Sequence, residues 1–469
     1  MKRTLLGAAL ALALAGCNLA PEYQRPDAPI PGEWPASAAS TGQGKALAET
    51  GWQDFFADAR LKQVVDLALR NNRDLRVAIL NIEKARAQYR ISSAAQFPAI
   101  NATGTETVQR QADVLSVGGK GEVTRAYSLG VGFAGYELDF FGRVRNLKDQ
   151  ALEQFLATED ARRSAHISLV AEVANTWLAL AADQEHLQLA RDTLASQQSS
   201  LALTQRSFDV GVSATLDLNQ ARISVEAAKV DLARYTAAVA QDRNALNLVV
   251  GSQTPEDLLP TTLTDVTTAL TEIPAGVPSE TLLQRPDIAQ AERTLRAANA
   301  NIGAARAAFY PRITLTASGG VASPKLSELF DSGTGTWSFM PQIVLPIFNA
   351  GSNQANLDAA RVDKDIRIAQ YEKAIQSAFR EASDALAVRA SVGDQLAAQQ
   401  ALVDAAAESS RLSDLRYRSG IDSYLPVLDS QRSHYAAQQN LITLRQSRQS
   451  NSISLYKVFG GGWLEKTTN

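Results

Sequence analysis

The 469-residue chain has one cysteine, Cys17, so no disulfide can form within it. Methionine occurs only at Met1 and Met340, which leaves no thioether cluster for a soft metal such as copper. His166, His186 and His434 stand far apart, and none sits in a metal-spaced motif; each reads as an ordinary helix-surface or interface residue. No uninterrupted apolar run of 18 or more residues occurs, which argues against a helical inner-membrane protein. There is no basic run and no interleaved aromatic patch, so nucleic acid is not an expected partner. Net charge is −3, and becomes −5 if Lys2 and Arg3 leave with a leader. Gly42-Gln43-Gly44-Lys45 lacks the spacing of a phosphate loop. No enzyme activity and no soluble cofactor are expected.

The most informative shortage is local. From Arg143 to Val250 there is no proline and one glycine, Gly211; from Ser352 to Phe459 there are Gly393, Gly420 and Pro426. Alanine, leucine, glutamine and arginine dominate both stretches, and all are strong helix formers. Two helical hairpins are expected, 144–250 and 352–459, each with a long first arm, a glycine tip and a second arm. The arm from Val144 to Phe208 would be about 95 Å long. Helices in ordinary globular proteins average about 11–12 residues. Such a helix belongs to a coiled coil, a long bundle or a tube wall.

The hairpins are copies. A shift of 209 places Gly211 on Gly420, Val212 on Ile421, Leu216 on Leu425, Ala227-Ala228 on Ala436-Ala437, Leu246 on Leu455 and Gly251 on Gly460, without a gap. Upstream the shift becomes 213, placing Asp74 on Asp287, Leu75 on Ile288, Pro98 on Pro311 and Ile100 on Ile313. A constant offset over so long a stretch marks an internal duplication. One unit built twice therefore replaces the prior of about three domains for this length.

In chain order, Met1-Lys2-Arg3 is a basic n-region, Leu5 to Ala15 an apolar h-region, and Leu14-Ala15-Gly16-Cys17 a lipoprotein cleavage box. Residues 1–16 are expected to be a signal peptide, with lipid attached at Cys17. Residues 17–57 read as an extended tether and equatorial segment, anchored by Trp52, Phe55 and Phe56. The first repeat spans 58–252, with helices near 60–69 and 74–95, the second capped by Asp74. Strands follow near 98–108 and 126–138, where Tyr127, Leu129, Val131 and Phe133 alternate with Ser128, Gly130 and Gly132. A linker covers 253–278, the second repeat 279–463 and a tail 464–469. The second repeat carries strands near 311–321 and 337–347, with Trp337, Phe339, Ile343 and Leu345 of one parity, broken by Pro341. Strand patterning alone fits soluble hairpins and membrane strands equally. Strands of this length span a bilayer. Four cannot close a barrel, and an open edge cannot face lipid. Membrane strands would therefore require oligomerisation, and three copies would supply 12 strands and 12 helical arms.

Several motifs point the same way. They are Pro21-Glu22-Tyr23-Gln24-Arg25-Pro26 after Cys17, Asn71-Asn72-Arg73-Asp74-Leu75-Arg76, and Tyr136-Glu137-Leu138-Asp139-Phe140-Phe141-Gly142-Arg143. The second half adds Arg285-Pro286-Asp287-Ile288, Ile302-Gly303-Ala304-Ala305-Arg306-Ala307-Ala308-Phe309, Leu345-Pro346-Ile347-Phe348 and Gly460-Gly461-Gly462-Trp463. Over essentially its whole length the chain resembles the outer membrane factor family of the TolC type. Within it, the similarity is to the OprM-like lipoprotein branch serving RND multidrug efflux systems (NodT family).

The resemblance implies a mainly α protein with a β-barrel part: a homotrimer with a 12-stranded outer-membrane barrel continuous with a long periplasmic α-helical barrel. It implies a passive exit duct fed by a periplasmic adaptor (membrane fusion protein) and an inner-membrane RND pump. Cys17 would carry diacylglycerol and N-acyl lipid, and Asn18 after it implies sorting to the outer membrane. A periplasmic gate would fall on Leu425, Asp429 and Arg432, whose i, i+4, i+7 spacing puts them on one helix face. A latch would join Tyr417 to Asp217, with Arg416, Arg418 and Asp422 nearby. Asp422 stands where TolC itself has an arginine, which leaves the bonding pattern open. Gly211-Val212-Ser213 and Gly420-Ile421-Asp422 would form the adaptor docking tips. Rival readings are a protein-secretion or metal-export channel of the same fold, or a trimeric adhesin or structural stalk. The stalk would need no inward charged ring.

Overall fold

The computed structural model describes residues 18–31, 47–115, 121–263, 266 and 279–467. Cys17 and its leader, tether residues 32–46, and the greater part of the linker lie outside the described residues. The chain falls into two compact units. One contains Asn81–Thr158 and Gln290–Tyr371 with the N-terminal residues to Asp27; the other contains Ala28–Leu80, Glu159–Ala289 and Glu372–Asn469.

The principal helices are α1 (Ala59–Asn71), α2 (Arg73–Ala94), α3 (Arg143–Asp209), α4 (Thr215–Val250), α5 (Pro286–Ala307), α6 (Ser352–Arg418) and α7 (Leu425–Val458). The duplication is visible in their lengths. α2 and α5 are 22 residues each and start 213 residues apart, while α3 and α6 are 67 residues each and start 209 apart. A 67-residue helix runs about 100 Å. One expectation changes here. α3 contains an 18-residue window apolar enough to cross a bilayer, although 61% of that window is buried within the protein. A test for uninterrupted runs misses it, because scattered polar residues break the run without removing its average apolar character.

The first unit carries one antiparallel sheet, β1 (Asn101–Arg110), β2 (Val123–Leu138), β3 (Arg312–Ser323) and β4 (Gly335–Val344), in that order. All limits fall within three residues of those expected, but Leu345 lies beyond β4. Directly paired residues share a face of a sheet. The register pairs Leu129 with Val321, Val131 with Gly319, Phe133 with Ala317, Gly319 with Trp337, Ala317 with Phe339 and Ile313 with Ile343. From Tyr127 onward through β3 and β4, that face is therefore mainly apolar, while Glu106, Arg110 and Arg125 share it at the far end of β1 and β2. The other holds Ser128, Gly130, Gly132, Thr316, Ser318, Gly320, Thr336 and Ser338. At the register shift between Phe133 and Tyr136, Gly135 adopts φ +66°. The bulge returns Tyr136, opposite Leu315, to the apolar face. Pro341 is tolerated because β4 is an edge strand. Trp337 on that face is 83% exposed. A bare apolar face and two unpaired edges both require neighbours.

The N-terminal strap lies along α5 in the same unit. Arg306 donates to the Leu19 carbonyl (3.1 Å) and Asn299 to that of Pro21 (2.8 Å). Arg25 forms an ion pair with Glu292, and the Arg296 guanidinium lies 4.8 Å from the Tyr23 ring centre. Gly303 has no side chain for good reason, since a Cβ there would lie 2.6 Å from the Asn146 amide and 2.8 Å from the Ala20 nitrogen.

The second unit holds the main core. α1 buries Leu61, Val64, Val65 and Ala68, an i, i+3, i+4, i+7 stripe. Asp58 caps it, accepting from the amides of Arg60 (2.7 Å) and Leu61 (3.3 Å). Trp52, Phe55 and Phe56 are buried as expected, Phe55 stacking on Tyr456 at 3.8 Å. The cap of α2 is Asn72, not Asp74: its Oδ1 accepts from the Leu75 amide at 2.8 Å while its Nδ2 donates to the Val249 carbonyl at 2.7 Å. Asp74 falls one position inside the first turn. The Trp463 ring of the glycine-rich terminus faces His166 at 5.2 Å, with Arg162 and Arg163 each 5.5 Å from its centre. Burial, followed by the Arg162 charge, lowers the His166 pKa to about 4, so it is neutral at pH 7.

Candidate functional site: the hairpin tips

Both tips end their first arm in the same way. Gly211 (φ +78°) and Gly420 (φ +72°) are left-handed, and their amides donate to the carbonyls of Phe208 and Tyr417, each at 2.9 Å. The following residues complete a Schellman motif, Val212 to Ser207 (2.8 Å) and Ile421 to Arg416 (3.0 Å). Val212 and Ile421 thereby project apolar side chains into solvent. Ser213 is half-buried.

The second arms start differently. In α4, Asp217 turns back to accept from the Ala214 amide at 3.3 Å. Its counterpart at the 209 offset is Pro426, which suits a first turn because the missing N–H would be unpaired there. α7 then has two faces. Tyr424, Val427 and Leu428 are buried, while Leu425, Asp429 and Arg432 are exposed. The three expected gate residues thus share one free face. Among the described residues, neither the Asp429 carboxylate nor Arg432 has an ion-pair partner within the chain.

The expected latch residues are engaged otherwise. Arg416 grips Asp422 in a fork, Nε to Oδ2 at 2.5 Å and Nη2 to Oδ1 at 3.0 Å, and this pairing holds the Asp422 carboxyl below its usual pKa. Arg418 pairs with Asp414 at 2.8 Å. The Tyr417 ring rests on Tyr424 at 5.1 Å. No hydrogen bond joins Tyr417 to Asp217, whose carboxylate instead accepts at its own helix start.

What joins the hairpins is a ladder along α7 that sequence reading missed. Gln197 donates to Gln431 (3.1 Å), Tyr435 to Asp231 (3.1 Å), Gln439 to Tyr235 (3.1 Å), Arg445 to Glu185 (3.2 Å) and Ser450 to Asn175 (2.7 Å). Gln431, Tyr435 and Gln439 recur every four residues, a signal present in the sequence but indistinguishable there from a solvated face. Beside it, His186 stacks on Tyr235 at 4.9 Å.

Between α3 and α4 the buried Oδ2 of Asp242 meets no N–H donor and faces Asp183, with which it hydrogen-bonds only by sharing a proton. Burial and then the Asp183 charge raise its pKa from 3.8 to about 6. Between those values the folded protein retains a proton that the unfolded chain has lost. Stability therefore falls as pH rises through about 6. Asp242→Asn should raise thermal stability at pH 7 by about 1–2 kcal/mol, allowing for partial exposure, with the gain vanishing near pH 4. Calorimetry at the two pH values checks this; an equal gain at both contradicts it.

The profile of the family described as "Outer membrane efflux protein" matches residues 64–252 and 277–461. The probable efflux pump outer membrane protein TtgC of Pseudomonas putida is 50% identical over 471 aligned residues, covering 100% of this chain and 97% of that protein. Outer membrane protein OprJ of Pseudomonas aeruginosa is 44% identical, covering 97% and 95%. The open-state crystal structure of the Neisseria gonorrhoeae MtrE outer membrane channel superposes with a TM-score of 0.87 at 37% identity, covering 97% of this chain and 100% of that one.

Proposed function

Since the chain belongs to the outer membrane efflux protein family, we propose that it acts as the outer-membrane exit duct of a tripartite RND-type pump, passing drugs or other toxic solutes outward. Its location is the outer membrane, and its fold is that of the TolC-type channels. The carrying observation is the full-length likeness to efflux pump outer membrane proteins. No catalytic step is assigned.

The four-stranded sheet with unpaired edges supports a homotrimer, in which β1 of one copy pairs with β4 of the next and the apolar face meets outer-membrane lipid. The strap supports lipidation at Cys17. Leu19 is held by Arg306, six residues before β3 begins, so the residue carrying the acyl chains would lie close to the membrane-spanning strands. Duct behaviour in cells is testable directly. In a strain lacking its own duct, expression should restore export of a fluorescent amphiphile; retention at the level of the empty vector would reject the role.

Leu425, Asp429 and Arg432 serve as the gate. Their free face and unpaired charges suit a ring in which each aspartate meets an arginine of a neighbouring copy. The exposed tips at Gly211-Val212-Ser213 and Gly420-Ile421-Asp422 suit docking of the adaptor's helical hairpin. Val212→Trp or Ile421→Trp should reduce adaptor-dependent efflux at least several-fold with the trimer intact on gel filtration. Wild-type efflux from both variants would remove the tips from the docking surface.

A further inference from the structure

We infer that Tyr424 is the positioning residue of the gate: its ring clasps the hairpin tips together, and its hydroxyl weakens that clasp. This rests on the gate reading above and deepens it.

Tyr424 is 2% exposed, whereas Leu425 beside it is 51% exposed. Its cluster draws on all four long helices: Leu201 from α3, Ala221 from α4, Tyr417 from α6, and Val427 and Leu428 from α7. The apolar seal of the tip and the gate face are thus adjacent residues at the start of one helix. A rotation that moves Leu425 must also move Tyr424. Both apolar burial and the tilted ring contact with Tyr417, at 51°, favour the packed arrangement.

The hydroxyl works against it. Its oxygen is fully buried and has no hydrogen-bond partner. A buried tyrosine hydroxyl ordinarily finds one, and an unmade bond is costly. Three groups lie close enough to act on it electrostatically, Tyr417 foremost and then the Asp414 and Asp217 carboxylates. Neither carboxylate bonds it in this arrangement; Asp414 pairs with Arg418 and Asp217 accepts from the Ala214 amide. Burial first, then Tyr417 and the two carboxylates, push Tyr424 up to about 12, so the group remains an un-ionised donor. Movement of the tip lets it reach water or one of the carboxylates, and only the moved state gains that bond. Sequence reading missed Tyr424 because its apolar spacing with Val427 and Leu428 marks an ordinary core stripe.

Two substitutions separate ring from hydroxyl. Tyr424→Phe retains the ring and removes the unpaired oxygen, so single-channel open probability should fall about tenfold, with trimer content unchanged. Tyr424→Ala removes the clasp, so open probability should rise above wild type. A residue with a merely structural role would shift both variants in the same direction. Tyr424→Phe opening as often as wild type, or more often, overturns the inference. Leu425→Ala/Asp429→Ala, run alongside, keeps the two readings apart. If it opens the channel while Tyr424→Phe does nothing, the clasp fails and the gate stands. If it changes nothing, the gate itself fails.

Discussion

Gly320→Val should abolish trimer assembly in the outer membrane and leave cells as drug-sensitive as a deletion strain, whereas Gly319→Val should assemble normally. The two glycines are neighbours in β3 and face opposite sides of the sheet. A Cβ on Gly320 would lie 2.2 Å from the Leu129 carbonyl oxygen and 2.6 Å from the Gly130 Cα, both backbone atoms of β2. Backbone cannot rotate away as a side chain can, so the strands must separate or shift register. Overpacking of this kind costs at least 1–3 kcal/mol, roughly, before any lost ladder bonds are counted. Gly132 is crowded in the same way, its Cβ position 2.4 Å from the Ala317 carbonyl oxygen. Gly319 has nothing within 4 Å, and valine there joins the apolar face in a strand-favouring conformation. Unheated gel electrophoresis of outer-membrane fractions reads trimer content. Wild-type trimer from Gly320→Val would contradict the close approach of β2 and β3.

Arg285→Ala should lower the melting temperature by about 3–4 °C, and Arg285→Lys should recover less than half of the loss. The guanidinium is buried and makes four contacts. It holds Asp287 through Nε (3.0 Å) and Nη2 (2.7 Å), Glu381 of α6 at 3.2 Å, and the Val458 carbonyl at the end of α7 at 3.3 Å. One side chain thus ties the start of α5 to both arms of the second hairpin. Alanine leaves two carboxylates facing each other and a carbonyl unpaired. Loss of one partner from a buried charge network costs about 3–5 kcal/mol. The carboxylates here are partly exposed, so the lower part of that range applies. Lysine supplies the charge without the planar fork. Thermal denaturation of the three proteins in one detergent gives the answer. An unchanged Arg285→Ala, or a fully rescuing lysine, would rule out the network as a staple.

Much of the fold was legible because it is written twice. The offsets of 209 and 213 recovered from residue identities return as helix starts with those same spacings and equal lengths. Period-two alternation marked three of the four strands, since sheet parity leaves a direct trace in sequence; β1, largely polar on both faces, was placed by its position before the polar loop. The helix cap was less readable. Asn72 and Asp74 are both competent caps two residues apart, and the choice fell to the one that also reaches the Val249 carbonyl, a contact distant in sequence. At the tips, spacing put Leu425, Asp429 and Arg432 on one face, and the structure leaves that face free. Charge partners could not be read this way. Arg416 has Asp422 across its own turn, so the fork closes locally instead of reaching the other hairpin. The ladder through Gln431, Tyr435 and Gln439 consists of polar residues on a polar helix, where burial decides the role and composition does not reveal burial.

Single-channel conductance of the purified oligomer in a planar bilayer, wild type beside Leu425→Ala/Asp429→Ala, tests the gated duct most directly. A small or flickering wild-type current that becomes large and stable in the variant is the expected result. Large and equal currents from both would preserve the duct and reject the gate at these residues. No current from either would contradict the duct itself and favour a structural stalk.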